Sequence, residues 1–209
     1  MYPVIEEYLS RRIREFDSIP SERKQQLRAV ADYVRQHLNA GAKARLTFIC
    51  THNSRRSHLS QIWAKIAAEH CGLGDVETFS GGTEATAFNP RAVDSLQRSG
   101  LQIKTEDGSA SNPRYLVRYD ENTPPLVCFS KVYDEAPNPN SKYCAIMTCS
   151  QADEACPVVP GCELRAPIRY EDPKAADDTP AEAATYDERS AQICREMLFL
   201  MRCVSADTQ

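Results

Sequence analysis

A cysteine and an arginine bound the segment of this sequence with the clearest chemical potential. The run Cys50-Thr51-His52-Asn53-Ser54-Arg55-Arg56-Ser57 follows a short apolar stretch, RLTFIC, and precedes an amphipathic pattern that begins at Arg56. The pattern predicts a strand, a loop and a helix in that order. Backbone N–H groups at the start of a helix, together with the helix dipole, form a site for anions.

These residue types predict nucleophilic chemistry on a tetrahedral oxyanion. A site that binds anions also stabilises the thiolate of Cys50, which is the reactive form of cysteine. Arg56 can hold two oxygens of the same anion through its planar guanidinium group. The spacing of the two residues is uninformative by itself, because the chain has nine cysteines and chance matches are common. The alternative is a buried cysteine before an ordinary helix.

Two further cysteines lie seven positions apart later in the chain. Cys149 ends the apolar run CAIMTC, and Cys156 follows in a segment rich in alanine and acidic residues. A thiol beside Cys50 could attack a covalent adduct on Cys50, and a third thiol could resolve the disulfide that forms. Zinc binding by Cys149, Cys156 and Cys162 is the weaker alternative, since zinc sites normally contain a closely spaced cysteine pair. We therefore predict no metal.

The elements that position these residues alternate between strands and helices. We predict strands at 45–50, 76–80, 126–130 and 144–149, and helices from residue 56, over 89–100 and from Thr179. Pro180 and Glu182 fit the start of the last helix, with a capping box. The alternation predicts an α/β fold with an open four-stranded parallel sheet and helices on both faces. Sites in such sheets form at the carboxyl ends of strands, where Cys50 and Cys149 would lie.

The first 44 residues have a different pattern. Two amphipathic helical stretches are separated at Pro20, which ends a helix. We predict a helical N-terminal extension over residues 1–44 and a catalytic domain over 45–209. The two helices would either pack on that domain or form the surface of a homodimer.

Composition limits the classes of partner. The 209 residues are 42% hydrophobic and 26% charged, with a formal net charge of -4. A mildly acidic chain has no electrostatic reason to bind nucleic acid or an anionic membrane. No apolar run approaches the roughly 20 residues that span a bilayer, and the charged N-terminus lacks the apolar stretch of a secretory signal. We therefore expect a cytoplasmic protein with neither nucleic acid nor membrane as a partner.

The run CTHNSRRS resembles the active loop of the low-molecular-weight protein-tyrosine-phosphatase superfamily, which includes the thioredoxin-coupled arsenate reductases. Ser80-Gly81-Gly82-Thr83 and Asn89-Pro90-Arg91 resemble two further family segments. The resemblance implies that Cys50 is the nucleophile and that Ser57 stabilises its thiolate. It also implies that the oxyanion is bound by Thr51, His52, Asn53, Ser54, Arg55 and Arg56.

The same resemblance implies a general acid and a redox relay. Asp172, in Asp172-Pro173, would protonate the leaving oxygen, and Cys149 and Cys156 match the cysteine pair of the arsenate reductase branch. Cys50 would attack arsenate, Cys149 would attack Cys50 and release arsenite, and Cys156 would attack Cys149. No bound cofactor is implied. A thioredoxin-like or glutaredoxin-like electron donor would reduce the final disulfide.

Two other functions remain open at this point. A low-molecular-weight protein-tyrosine phosphatase would hydrolyse phosphate monoesters through a phosphocysteine intermediate. The long 105–143 region, in which Tyr133 could form an aromatic wall, favours this function, and Lys174 after the Asp-Pro pair disfavours phosphotyrosine. The third function is a non-enzymatic oxyanion-binding or thiol-sensing module.

Two residues near these motifs have alternative roles. Arg55 would either attract anions or be an ordinary solvated arginine. Cys162 would be a bystander or an alternative resolving thiol.

Overall fold

The computed structural model describes residues 1–106, 110–155 and 158–206. The helices are α1 (Pro3–Ile13), α2 (Ser21–Asn39), α3 (Arg56–His70), α4 (Pro90–Arg98), α5 (Ser150–Ala155) and α6 (Glu182–Ala206). The strands are β1 (Ala44–Cys50), β2 (Val76–Gly82), β3 (Gln102–Thr105), β4 (Tyr115–Arg118), β5 (Leu126–Cys128), β6 (Tyr143–Met147) and β7 (Cys162–Pro167). Short 3-10 turns cover Phe16–Ser18 and Pro173–Ala176.

A four-stranded parallel sheet in the order β2-β1-β6-β7 forms the centre of the molecule. This confirms the predicted α/β architecture. β1 is central and pairs with β2 on one side and β6 on the other, with Cys50 opposite Gly82 and Ile49 opposite Met147. The carboxyl ends of β1 and β6 therefore lie side by side, so the chain after each strand reaches the same edge of the sheet.

One predicted strand belongs to a different sheet. The run LVCFS forms β5 over Leu126–Cys128, but β5 pairs with β4 in a three-stranded antiparallel sheet of order β3-β4-β5. The fourth parallel strand is β7, which the sequence prediction missed. β7 is an edge strand with Glu163 and Arg165 among its residues. It therefore lacks the continuous apolar run that identifies a strand buried on both faces.

The two N-terminal helices pack on the rest of the chain. Ile5 and Leu9 of α1 and Leu27 and Val30 of α2 are fully buried in the same hydrophobic cluster as the sheet residue Phe48. Both helices contact α6. This packing corresponds to the first of the two alternatives for residues 1–44, and a homodimer through this segment stays a prediction.

The last helix begins at Glu182 and not at Thr179 as predicted. The Thr179 hydroxyl accepts a hydrogen bond from the Ala181 N–H at 3.2 Å, and the Glu182 carboxylate accepts one from the Asp178 N–H at 2.7 Å. Glu182 thus reaches one residue farther back than in a standard capping box, and the helix starts later. Of the helices in residues 1–106, 110–155 and 158–206, none is both long and apolar enough to cross a bilayer.

Candidate active site

The predicted cysteine loop lies at the carboxyl edge of the parallel sheet. Cys50 is the last residue of β1, and α3 begins at Arg56. Gly82, at the end of β2, lies directly against the loop. A Cβ atom at Gly82 would fall 2.7 Å from both the Asn53 nitrogen and the Thr51 oxygen, which is too close for any side chain. The close approach of β2 to the loop therefore requires glycine at this position.

Hydrogen bonds from surrounding segments hold three carbonyl groups of the loop. They are Thr51 O from Glu84 N at 2.9 Å, His52 O from Ser130 Oγ at 3.0 Å and Ser54 O from Asn89 N at 2.9 Å. Within the described part of the chain, the backbone N–H groups of residues 52–57 have no protein acceptor. The loop carbonyl groups thus accept hydrogen bonds from neighbouring segments, while its backbone N–H groups have no acceptor. Such a group of N–H donors can bind an anion.

Ser57 contacts the cysteine sulfur. Its Oγ lies 3.0 Å from Cys50 Sγ and accepts a hydrogen bond from Asn53 Nδ2 at 2.9 Å. Asn53 has a positive φ of 44°, a conformation that asparagine tolerates better than most residues. Because the amide of Asn53 occupies a lone pair of the Ser57 oxygen, the hydroxyl proton is free to point at the sulfur. This geometry suits stabilisation of a Cys50 thiolate.

Arg56 connects the loop to Asp172, although the two residues are 116 positions apart in the sequence. Its Nη2 donates to Asp172 Oδ2 at 2.7 Å, and its Nη1 donates to the Tyr170 carbonyl at 3.0 Å. These residues line a cavity of about 380 Å³ that Arg169 and Glu171 also border. The carboxylate that resemblance identified as a general acid therefore lies beside the cysteine loop.

Arg55 is paired and largely buried, which contradicts the expectation of an ordinary solvated arginine. Its Nε donates to the Tyr186 hydroxyl at 2.9 Å, and its Nη2 lies 3.6 Å from the Asp177 carboxylate. Asp177 also accepts a hydrogen bond from Tyr186 at 2.8 Å. Because its charge is paired and its side chain is largely buried, Arg55 is not a solvated arginine. Its part in binding an anion stays a prediction. Arg55 anchors the loop to α6.

Cys149 is buried beside the loop, and Cys50 belongs to the same small apolar cluster. The Cys149 sulfur lies 3.6 Å from Thr51 Oγ1 and accepts a hydrogen bond from the Ala152 N–H at 3.3 Å. Cys156, the other predicted relay cysteine, lies outside the described residues. The neighbouring strand ends thus bring the first two cysteines of the predicted relay to one place.

Cys162 lies at the opposite edge of the sheet. It pairs in register with Tyr143 at the start of β6, six residues before Cys149. β6 itself runs from Tyr143 to Met147, so at about 3.3 Å per residue the two ends of this strand are roughly 13 Å apart. Cys162 therefore cannot serve as an alternative resolving thiol in this conformation. The described residues also contain no group of three or more His, Cys, Asp or Glu side chains arranged to hold a metal ion.

The segment after β5 supports the loop in a way that the sequence did not indicate. The Lys131 N–H donates to Asn53 Oδ1 at 3.0 Å, and Asn138 Nδ2 donates to the Ser80 carbonyl at 2.9 Å. Tyr133 packs against the cluster that contains Cys50 and Cys149. No motif marks these residues, because backbone N–H groups and single asparagines carry no sequence signature. The long region predicted only to shape the substrate also holds the loop in place.

Two ionisable side chains are buried next to this support. Burial lowers the pKa of Lys131 to about 8, although the nearby Cys128 and Glu135 favour its charge. Burial, together with the charge of Lys131, also holds the pKa of His58 well below its ordinary range. The His58 ring stacks on Phe88 with centroids 4.1 Å apart. His58 is therefore a neutral packing residue.

We expect Lys131→Met to change how stability depends on pH. Below about pH 8, Lys131 is charged in both states and the folded state bears the full cost of burying that charge. Between about pH 8 and 10.5, only the unfolded state keeps the proton, so folding becomes more favourable as pH rises. Relative to the variant, the wild-type free energy of unfolding should rise by about 3 kcal/mol across this interval.

Urea unfolding of both proteins across that pH interval measures this difference. The backbone N–H that binds Asn53 remains in the methionine variant, so the loop support is preserved. Parallel profiles for the two proteins would show that Lys131 titrates as an ordinary exposed lysine.

Several known proteins are similar to parts of this chain. The family model for low molecular weight phosphotyrosine protein phosphatase matches residues 45–120. The arsenate reductase of Bacillus licheniformis is 28% identical over 148 residues, which cover 71% of this chain and 87% of the relative. The arsenate reductase of Brevibacillus brevis is 28% identical over 152 residues, with coverage of 72% and 92%.

Among solved structures, a low molecular weight phosphotyrosine phosphatase of Vibrio cholerae aligns with a TM-score of 0.49 and 12% identity. The alignment covers 75% of this chain and 94% of that one. The family match over residues 45–120 supports the low-molecular-weight protein-tyrosine-phosphatase superfamily, and the curated relatives support its arsenate reductase branch. These similarities support an enzyme of this superfamily.

Proposed function

We propose that this enzyme reduces arsenate through a relay of Cys50, Cys149 and Cys156. The observation that carries the proposal is the second thiol at the site: Cys149 is fully buried, contacts Thr51 of the loop and shares an apolar cluster with Cys50. Hydrolysis of a phosphate ester needs only one cysteine. The curated arsenate reductases that resemble most of the chain support the same choice.

The first step forms a covalent adduct on Cys50. The Cys50 thiolate attacks arsenic, an S–As bond forms, and one arsenate oxygen leaves as water with a proton from Asp172. The unused loop N–H groups and Arg56 would bind the remaining oxygens. A bound oxyanion competes with Asp172 for Arg56 Nη2, which frees the carboxyl group to carry that proton.

Two thiol exchanges follow. Cys149 attacks Cys50 Sγ, the S–As bond breaks, and its electron pair stays with arsenic, which leaves as arsenite. Cys156 then attacks Cys149 Sγ, so Cys50 departs as a thiolate and a Cys149–Cys156 disulfide remains. Two thiols are oxidised to one disulfide, which supplies the two electrons that arsenate takes up. A thioredoxin-like or glutaredoxin-like dithiol donor would reduce this disulfide for the next turnover.

A single-turnover experiment tests the proposal. Fully reduced protein is mixed with excess arsenate, quenched with an alkylating agent and analysed by peptide mass spectrometry. We expect an arsenate-dependent Cys149–Cys156 disulfide and one arsenite per chain. Cys149→Ser should abolish turnover with arsenate and retain hydrolysis of an aryl phosphate. Cys162→Ser is the matched control and should retain both activities, because that cysteine lies beside the start of β6 and Cys149 lies beyond its end.

The competing function is hydrolysis of phosphate monoesters through a phosphocysteine on Cys50. It is supported by the phosphotyrosine phosphatase family model and by the packing of Tyr133 against the cluster around Cys50, since an aromatic side chain there could contact an aryl ester. If all three cysteines stay alkylatable after exposure to arsenate and no arsenite appears, the reductase proposal is wrong. Hydrolysis of a phosphopeptide by the same sample would then favour the phosphatase.

A further inference from the structure

The segment of residues 169–172 contains the candidate general acid, Asp172, and binds Arg56. On the side facing the loop, Arg56 binds the Tyr170 carbonyl at 3.0 Å and the Asp172 carboxylate at 2.7 Å. The Tyr170 N–H donates to the Thr148 carbonyl at 3.0 Å, at the end of β6. These contacts tie the segment to the cysteine loop and to the end of β6, and Arg169 also pairs with Asp153. A further contact comes from the opposite side of the segment.

Arg23, in the first turn of helix α2, lies behind the segment. Its Nη2 donates to the Arg169 carbonyl at 2.6 Å, and its guanidinium carbon lies 5.4 Å from the centre of the Tyr170 ring. A guanidinium group over an aromatic face attracts the ring, more strongly where water is excluded. Tyr170 is only 4% exposed. One side chain of the N-terminal extension therefore contacts two consecutive residues of the segment.

Arg23 also forms an ion pair with helix α6. Its Nε lies 3.6 Å from the carboxylate of Glu196, which is 2% exposed. Gln192 donates to the other oxygen of that carboxylate at 3.1 Å. A buried ion pair adds little net stability, because removing both charges from water is costly. The pair does, however, restrict the orientation of the guanidinium group and hence the position of the segment that it binds.

We propose that Arg23 is a positioning residue for Asp172, so that the N-terminal extension takes part in catalysis without touching the substrate. Through the Arg169 carbonyl and the Tyr170 ring, Arg23 sets the place of the chain that carries the acid. A displacement of about 1 Å in a reacting group lowers rates by as much as 10²-fold. The inference rests on the proposed loop chemistry, in which Cys50 attacks an oxyanion and Asp172 protonates the leaving oxygen.

The test compares two esters that depend differently on an acid. Phenyl phosphate has a poor leaving group and needs protonation, whereas p-nitrophenyl phosphate has a more acidic leaving group and needs less. kcat/KM reports the step that forms the phosphocysteine. For Arg23→Met, we expect a loss of about tenfold on phenyl phosphate and about twofold on p-nitrophenyl phosphate. Arg23→Lys, which keeps the charge and can still reach a carbonyl, should recover part of the difference.

Three further variants separate positioning from loss of folded protein. Arg28→Met changes another arginine of α2, whose guanidinium lies over the Phe199 ring of α6 at 5.6 Å. This variant should have wild-type kcat/KM values for both esters. Arg23→Met with Glu196→Gln removes the unpaired buried charge and should keep the unequal loss. In an Asp172→Asn background, Arg23→Met should add no further discrimination between the esters, because the positioned group is already gone.

An equal loss on both esters for Arg23→Met, or a further unequal loss in the Asp172→Asn background, overturns the inference while the loop chemistry stands. If the wild-type chain hydrolyses neither ester, the loop chemistry itself fails and the inference fails with it. Because the unequal loss is a ratio between substrates, a lower fraction of folded enzyme cannot produce it.

Discussion

Replacing Arg56 with lysine is expected to lower kcat/KM for an aryl phosphate by about 10²–10³-fold and to slow arsenate-dependent disulfide formation similarly. Arg56 is 9% exposed and donates from both terminal nitrogens, to Tyr170 and to Asp172. A lysine keeps the positive charge but replaces the rigid fork with a single ammonium group. Each hydrogen bond to a charged group contributes about 1.5–3 kcal/mol, so the loss of one or two such bonds accounts for this range.

Arg98→Lys provides a matched control for this substitution. Arg98 also donates from two guanidinium nitrogens, in its case Nε and Nη2 to the single carboxylate of Asp187 at 2.7–3.1 Å, on the exposed surface between α4 and α6. The control makes the same arginine-to-lysine change at a paired guanidinium outside the cysteine loop and should leave both activities within about twofold of the wild type. Equal losses for Arg56→Lys and Arg98→Lys would mean that the guanidinium of Arg56 has no special role at the oxyanion.

The cysteine loop was predictable because everything that builds it is consecutive in the sequence. β1, the loop and α3 follow one another from Ala44 to His70, so the order of patterns already implied a concave set of N–H groups. The partnership of Arg56 with Asp172 is different, since it depends on how β7 and the following turn pack. Only the resemblance to a family directed attention to Asp172 before the structure did.

The strands illustrate what local patterns cannot decide. An apolar run such as Leu126–Cys128 is compatible with a parallel strand in the core and equally compatible with a short strand of an antiparallel sheet. The polar residues of β7 hid a strand that borders the central sheet. The hydrogen bond from the Lys131 N–H to Asn53 could not be predicted from the sequence either. Every residue except proline has a backbone N–H, so this donor leaves no sequence signal.

Asp172→Asn is expected to lower kcat/KM by about 10²–10³-fold on phenyl phosphate and less on p-nitrophenyl phosphate, since a positioned acid contributes about 10²–10⁴-fold to proton transfer. Asparagine preserves shape and keeps an oxygen that can accept the Lys174 N–H, which Asp172 Oδ1 binds at 3.1 Å. It cannot also accept from Arg56, because its NH₂ group then takes the place of Oδ2, the atom to which Arg56 Nη2 donates. The substitution therefore removes the transferable proton and the charge while it leaves the cap of the 3-10 turn in place.

Asp187→Asn is the control, because Asp187 is an exposed carboxylate that also pairs with an arginine. This variant should keep kcat/KM for both esters within about twofold of the wild-type value. Arsenate gives the second readout: its leaving oxygen needs a proton as the phenyl ester does, so Asp172→Asn should slow the first appearance of the Cys149–Cys156 disulfide. The later exchanges among the cysteines should be unchanged, because they expel no oxygen. If Asp172→Asn lowered kcat/KM equally for both esters and left disulfide formation normal, Asp172 would only anchor Arg56 and would donate no proton.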